Sequence, residues 1–156
     1  MSAVMITKSE LLQHWLGHRK LTRKTIEKFP EKELFEFSIG GMRPFSALIK
    51  ELLSIDVPGL KEMVTGETSP FNHDLPLHTK EELLTKWDED TTKIAAYFNK
   101  INEEQLHDTI KLFGMYEFTI ISHLLYFIDN EIHHRGQGFV YLRALGIEPP
   151  FFWDRY

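Results

Sequence analysis

The sequence predicts an all-α fold, a four-helix bundle built as a single domain over residues 1–156, and three observations carry that prediction. Apolar residues recur at three- and four-residue intervals over four segments, proline and glycine separate those segments, and no stretch alternates polar with apolar residues as a half-buried strand does. At 156 residues, 42% of them hydrophobic, the chain is long enough for one real core and too short for two ordinary ones.

The first helix opens on a capping box, Thr7 with Glu10, and carries Leu11, Leu12, Trp15 and Leu16 at helical spacing. Gly17 is expected to loosen it, while Leu21 and Ile26 extend the pattern until Phe29-Pro30. The second starts near Arg43-Pro44 and runs through Phe45, Leu48, Ile49, Leu52 and Ile55. Pro58 is expected to kink or break it before Leu60 and Met63. Gly66, Ser69, Pro70, Asn72, Asp74 and Pro76 then mark a loop. The third helix has its own capping box, Thr79 with Glu82, and carries Leu83, Leu84, Trp87, Ile94, Ala95 and Phe98 to about Ile101. Thr109–Met115 reads as extended or irregular. The fourth helix runs from about Glu117 to Leu145, roughly 43 Å at 1.5 Å per residue, with Gly146 as its C′ residue and Pro149-Pro150 beyond.

Charge and composition exclude several functions. A formal charge of −5 without a dense basic tract argues against a nucleic-acid backbone as partner. The absence of cysteine removes disulfides, thiolate metal sites and a cysteine nucleophile. No basic region followed by an apolar core opens the chain, and no run of about 18 apolar residues spans a membrane. The expectation is a cytoplasmic protein with no membrane partner.

Chemistry in a bundle comes from polar side chains projecting inward from facing helices. On the fourth helix His123, Phe127, Asn130, His134 and Tyr141 fall along one line. Glu131 with His134 makes a Glu-x-x-His pair, which carboxylate-bridged di-metal bundles carry twice; here it occurs once, against a di-metal site. His133 faces away. On the second helix Glu51 stands among Leu48, Leu52 and Ile55, and a carboxylate there needs a partner, a proton or a metal. A structural salt bridge to Arg135 or Arg19 competes with ligation, whereas Lys50 and Asp56 are expected to face water. His14 and His18 are spaced to bind zinc, but no third ligand suggests itself, so the pair reads as structural. The tail Phe151-Phe152-Trp153 is expected to cover the end of the bundle or to join an interface.

The run Asn130-Glu131-Ile132-His133-His134-Arg135-Gly136-Gln137, followed by Phe139-Val140-Tyr141-Leu142-Arg143, Leu145-Gly146 and Pro149-Pro150, resembles the signature of DinB/YfiT-like bundle proteins, as does His14-Trp15-Leu16-Gly17-His18-Arg19. The resemblance implies one divalent metal held by three histidines, one from the second helix and two, four residues apart, from the fourth. Carried onto this chain, those positions fall on Glu51, Asn130 and His134, so two of the three ligands have changed. Glutamate is a competent ligand for zinc, manganese or nickel, and asparagine offers only a weak neutral oxygen. His123 lies about 10 Å along the helix from Asn130 and does not replace it. Three functions stay open. One is a metal-dependent, thiol-transferase-like enzyme acting on a small-molecule thiol and an electrophile, with Tyr141 or Arg135 orienting substrate. Another is a non-catalytic binding or stress-response module with a metal-free pocket. The last is a structural homodimer, a pairing the resemblance also implies.

Overall fold

The computed structural model describes residues 3–70 and 72–155. Helix α1, Lys8–Lys28, opens on its capping box: Thr7 Oγ1 accepts from the Glu10 amide at 3.1 Å, and the Glu10 carboxylate accepts from the Thr7 amide at 2.7 Å. Gly17 does not loosen the helix; it is buried, and α1 runs through it without interruption. A short α2, Glu31–Glu36, follows, fewer than two turns and too brief for periodicity to reveal.

Helix α3, Phe45–Thr65, starts after Pro44 and ends on Gly66 in the left-handed region, as a C-terminal glycine should. Pro58 does not break it, and α3 continues through the proline to Thr65. The ring removes the hydrogen bond to the Ser54 carbonyl, a cost of about 3 kcal/mol in an unsupported helix. Packing on both sides outweighs it. Ile55 and Leu60 are buried, and Gly59 lies so close to Phe127 that an added Cβ would stand 2.7 Å from its ring.

Helix α4, Lys80–Asn99, begins at the second capping box. After a 3-10 turn at Glu103–Gln105 the chain makes a hairpin, β1 Thr109–Leu112 against β2 Tyr116–Thr119, with Leu112 opposite Tyr116. Of the two alternatives for Thr109–Met115 the extended one holds for Thr109–Leu112, while the strand Tyr116–Thr119 and its pairing were not expected. Phe113 (φ 55°) and Gly114 (φ 68°) both take positive φ, the pattern of a type I′ turn, and the Met115 amide donates back to the Leu112 carbonyl at 3.0 Å. Because Tyr116–Thr119 pair in the hairpin, α5 covers Ile120–Ala144, starting three residues later than expected. Its 25 residues span about 37 Å.

Helices α1 and α5 run one way and α3 and α4 the other. Phe45 meets Gly138 while Gly59 meets Phe127, so α3 is antiparallel to α5. Lys8 reaches the Ile101 carbonyl while Arg19 reaches that of Trp87, so α4 opposes α1. The segment 66–79 must therefore travel back along the bundle, and Leu75 and Leu77 pack on the core as it goes.

That core has two halves. One gathers Leu11, Trp15, Ile94, Phe98, Leu124 and Phe127; the other Ile26, Phe29, Phe45, Leu83, Trp87 and Leu142. Between them, at mid-height, lies a buried polar layer: His18, Arg19, Thr22, Asp56, Asp90, Glu131 and Arg135.

Candidate functional site

Glu51 and His134 meet across the α3–α5 interface. The carboxylate Oε2 pairs with His134 Nε2, and Oε1 accepts from Arg43 Nη2 at 3.2 Å. The expected partners of Glu51, Arg135 and Arg19, are both engaged elsewhere in the polar layer. The hydrogen bond from His134, ahead of the charge of Arg43, holds the Glu51 carboxyl down at about 2 despite its partial burial. His134 Nδ1 lies 3.4 Å from the Gln137 side chain. Asn130, one turn before His134 and half-buried, has its amide nitrogen shielded from water and without a hydrogen-bond partner.

The donor chemistry of this set is weaker toward a transition-metal ion than three imidazoles. Its two strong donors, Glu51 Oε2 and His134 Nε2, satisfy each other directly, and the third position offers a neutral amide. Among the described residues no group of three or more His, Cys, Asp or Glu is placed to hold an ion.

Beside the pair opens a cavity of about 570 Å³, within the range of small-molecule sites. Glu51 and Ile55 form one wall, the β1–β2 hairpin a second, and the first turns of α5 a third. Three aromatics that line it remain well exposed, Tyr116 at 42%, Phe118 at 57% and Tyr126 at 54%, so the cavity communicates with solvent. His123, on its floor, is buried, and burial pushes its imidazole below the usual value. Because a carbonyl only accepts, its Nε2 donates to Ile110 O at 3.1 Å, leaving Nδ1 as the acceptor. The positive φ of Phe113, rare for a bulky residue, places a further ring in the wall.

The remaining sequence candidates build the polar layer instead. Arg19 donates to the Trp87 carbonyl at 2.9 Å and to Thr91 Oγ1 at 3.0 Å, with its guanidinium 3.4 Å over the Trp87 ring. Trp87 Nε1 returns a bond to the Arg19 carbonyl at 3.1 Å. Asp56, expected to face water, is 1% exposed and lies 3.6 Å from Arg19 Nη1. Glu131 is wholly buried and accepts from Thr22 Oγ1 at 2.7 Å, pointing toward α1 rather than toward His134. Burial raises the carboxyls of both Asp56 and Glu131. Arg135 donates to His18 Nδ1 at 2.9 Å, and burial, then the charge of Arg135, lowers His18 to about 3. His14 lies 3.2 Å from the other His18 nitrogen, which gives that pair a structural place in the layer. Tyr141 is fully buried and donates to the Arg43 carbonyl at 2.8 Å, fixing the loop that delivers Arg43. The tail does not cover the core: Phe151, Phe152 and Trp153 are 57–63% exposed and pack mainly on one another.

Sequence reasoning missed Arg43, the hairpin aromatics and Tyr126. The signal was present for the hairpin, since Phe113-Gly114 sits between two short runs rich in β-branched and aromatic residues. A polar series on α1 at His18, Arg19, Thr22 and Thr25, continuing the apolar line of Leu11 and Trp15, announced the layer.

The up-and-back helical bundle sets the class, and the sequence agrees: the DinB family model matches residues 2–154, and the chain belongs to that family. The uncharacterized protein YjoA of Bacillus subtilis is 28% identical over 155 residues, covering 97% of this chain and 99% of YjoA. The crystal structure of that DinB-like protein superposes with a TM-score of 0.75 over 93% of this chain and 99% of its own. A DinB-like protein from Bacillus cereus also gives a TM-score of 0.75, at 16% identity, covering 93% of this chain and 97% of its own, and supports the fold alone.

Proposed function

We propose that this DinB-family protein is a small-molecule binding module whose polar anchor is the Glu51–His134 pair and whose specificity surface is the adjoining aromatic cavity. The observation that carries the reading is the position of Glu51: one carboxylate is braced by His134 and Arg43 and also forms the cavity wall. A braced, partly buried carboxylate beside about 570 Å³ of mostly apolar surface is a preorganised recognition group. The test is a titration of the full chain, methyl-labelled at isoleucine, with small aromatic fragments of differing charge. Ile55 lies in the wall, and its resonance, assigned through Ile55→Val, is expected to shift saturably. An Ile55 methyl that never responds refutes the module.

A second reading, a metal-dependent thiol-transferase-like enzyme, draws its support from the unpartnered Asn130 amide one turn from His134. Its oxygen and nitrogen are interchangeable by a flip, so an amide oxygen can join Glu51 and His134 toward one divalent ion. Calorimetric titration with zinc, nickel and manganese decides it. Binding near one equivalent that is lost in His134→Ala supports the enzyme, whereas binding confined to the Glu51→His/Asn130→His double variant supports the metal-free module.

A further inference from the structure

The cavity combines one carboxylate with aromatic faces. Among its described lining residues Glu51 is the only Asp, Glu, Lys or Arg. A glutamate is ionised at neutral pH, and the faces of aromatic rings carry the negative end of their quadrupole. His123 adds an acceptor, because its Nε2 proton is committed to the Ile110 carbonyl. The hollow therefore sets a carboxylate and aromatic faces against apolar surface, a lining complementary to a cation that carries a hydrocarbon body.

The existing partners of Glu51, His134 and Arg43, do not take up all of its acceptor capacity. Each carboxylate oxygen has two lone-pair sites, and Oε1 and Oε2 each use one, for Arg43 and His134 respectively. A second lone-pair site remains on each oxygen, and Glu51 lines the cavity. Arg43 is half-exposed and its 3.2 Å contact is screened by solvent. Around Glu51, Tyr126 and Phe118, both more than half exposed, supply rings at the mouth, and Phe127 supplies one at the base.

We propose that the cavity binds an organic cation, a hydrophobic amine whose ammonium is seated on Glu51 and whose apolar body lies among Tyr126, Phe118 and Phe127. This rests on the binding-module reading and names the chemical class of its ligand. An anionic or thiolate ligand would meet the Glu51 carboxylate at close range, and a neutral one would leave its spare acceptor sites without a charged donor.

Three probes with the same phenylethyl body separate the cases: 2-phenylethylammonium, 2-phenylethanol and 3-phenylpropionate. Each is titrated into the full chain at pH 7 while the Ile55 methyl is followed. The amine is expected to bind at least about 10-fold more tightly than the alcohol, matching a charge-assisted bond, and the carboxylate more weakly than either. In Glu51→Gln the amine's advantage over the alcohol is expected to vanish, while Tyr126→Ala weakens both. Equal affinity of amine and alcohol, or tighter binding of the carboxylate, overturns the cation assignment and leaves the module standing. Silence of the Ile55 methyl toward all three overturns both. The wild-type comparison decides the matter even where Glu51→Gln unfolds.

Discussion

Two glycines on one helix turn a packing argument into a sign. Gly136 and Gly138 lie two residues apart in the interior of α5. A Cβ at Gly136 meets nothing within 4 Å, whereas one at Gly138 would stand 2.5, 2.8 and 2.9 Å from three ring atoms of Phe45. Normal carbon contacts are about 3.5–4.0 Å, so the ring must retreat by about 1 Å. Phe45 has little freedom to do so, being fully buried and stacked on Phe29 with centroids 4.8 Å apart. Alanine in place of glycine stabilises a helix interior by about 1 kcal/mol, and overpacking a core costs about 1–3 kcal/mol. Gly136→Ala should therefore gain most of that 1 kcal/mol, while Gly138→Ala, with three close approaches to a pinned ring, should meet the upper end of the overpacking cost, about 3 kcal/mol, and lose about 2 kcal/mol net. In a chain of this length those become a rise of about 2–4 °C and a fall of about 4–8 °C in Tm. Thermal and urea denaturation of both variants measure them, and Phe45→Leu added to Gly138→Ala should recover part of the loss. Equal shifts of the same sign in the two single variants would refute the packing argument.

Two further expectations concern the polar layer. Arg19→Met leaves Asp56 and Glu131 buried without their guanidinium and should cost about 3–5 kcal/mol, read as a lower urea midpoint; a loss under about 1 kcal/mol contradicts the pairing. Burial raises the Asp56 and Glu131 carboxyls in the folded state, so the native protein holds protons that the unfolded chain has released. Their contribution is fully present below about pH 4, the unfolded carboxylate value, and is lost as pH rises through the folded values, at up to about 1.4 kcal/mol per pH unit for each proton. Stability measured from pH 4 upward should fall less steeply in Asp56→Asn than in the wild type; an unchanged slope would show that Asp56 does not hold that proton.

How much of this was legible in the sequence depended on whether the signal was local. Both capping boxes were, because a threonine and a glutamate three residues on satisfy each other within a single turn whatever the rest of the chain does. The line of His123, Phe127, Asn130 and His134 on α5 was legible for the same reason, being set by helical spacing. So was the proximity of Glu51 to His134, through the family signature around Asn130–Gln137. The hairpin was legible only through its turn and composition at Phe113-Gly114, since two four-residue strands carry too little periodicity to outweigh a neighbouring helix.

Pro58, Asp56 and Arg43 were decided only by the tertiary structure. A proline's local effect is to break a helix, and α3 runs through it because Leu60 and Gly59 are held against α5 and the core. Asp56 reads as a surface residue until Arg19, 37 positions earlier in the chain, arrives beside it. Arg43 lies in a loop whose path is fixed by the Tyr141 hydroxyl, 98 residues away in the sequence. Sequence alone therefore determined the four long helices, the capping boxes of α1 and α4 and the family, all of which follow from contacts within a few residues. The partner of each buried charge, and the hollow beside Glu51, were set by which helix faces meet, because a charge in a low-dielectric interior takes its protonation state and its role from whatever the fold places next to it.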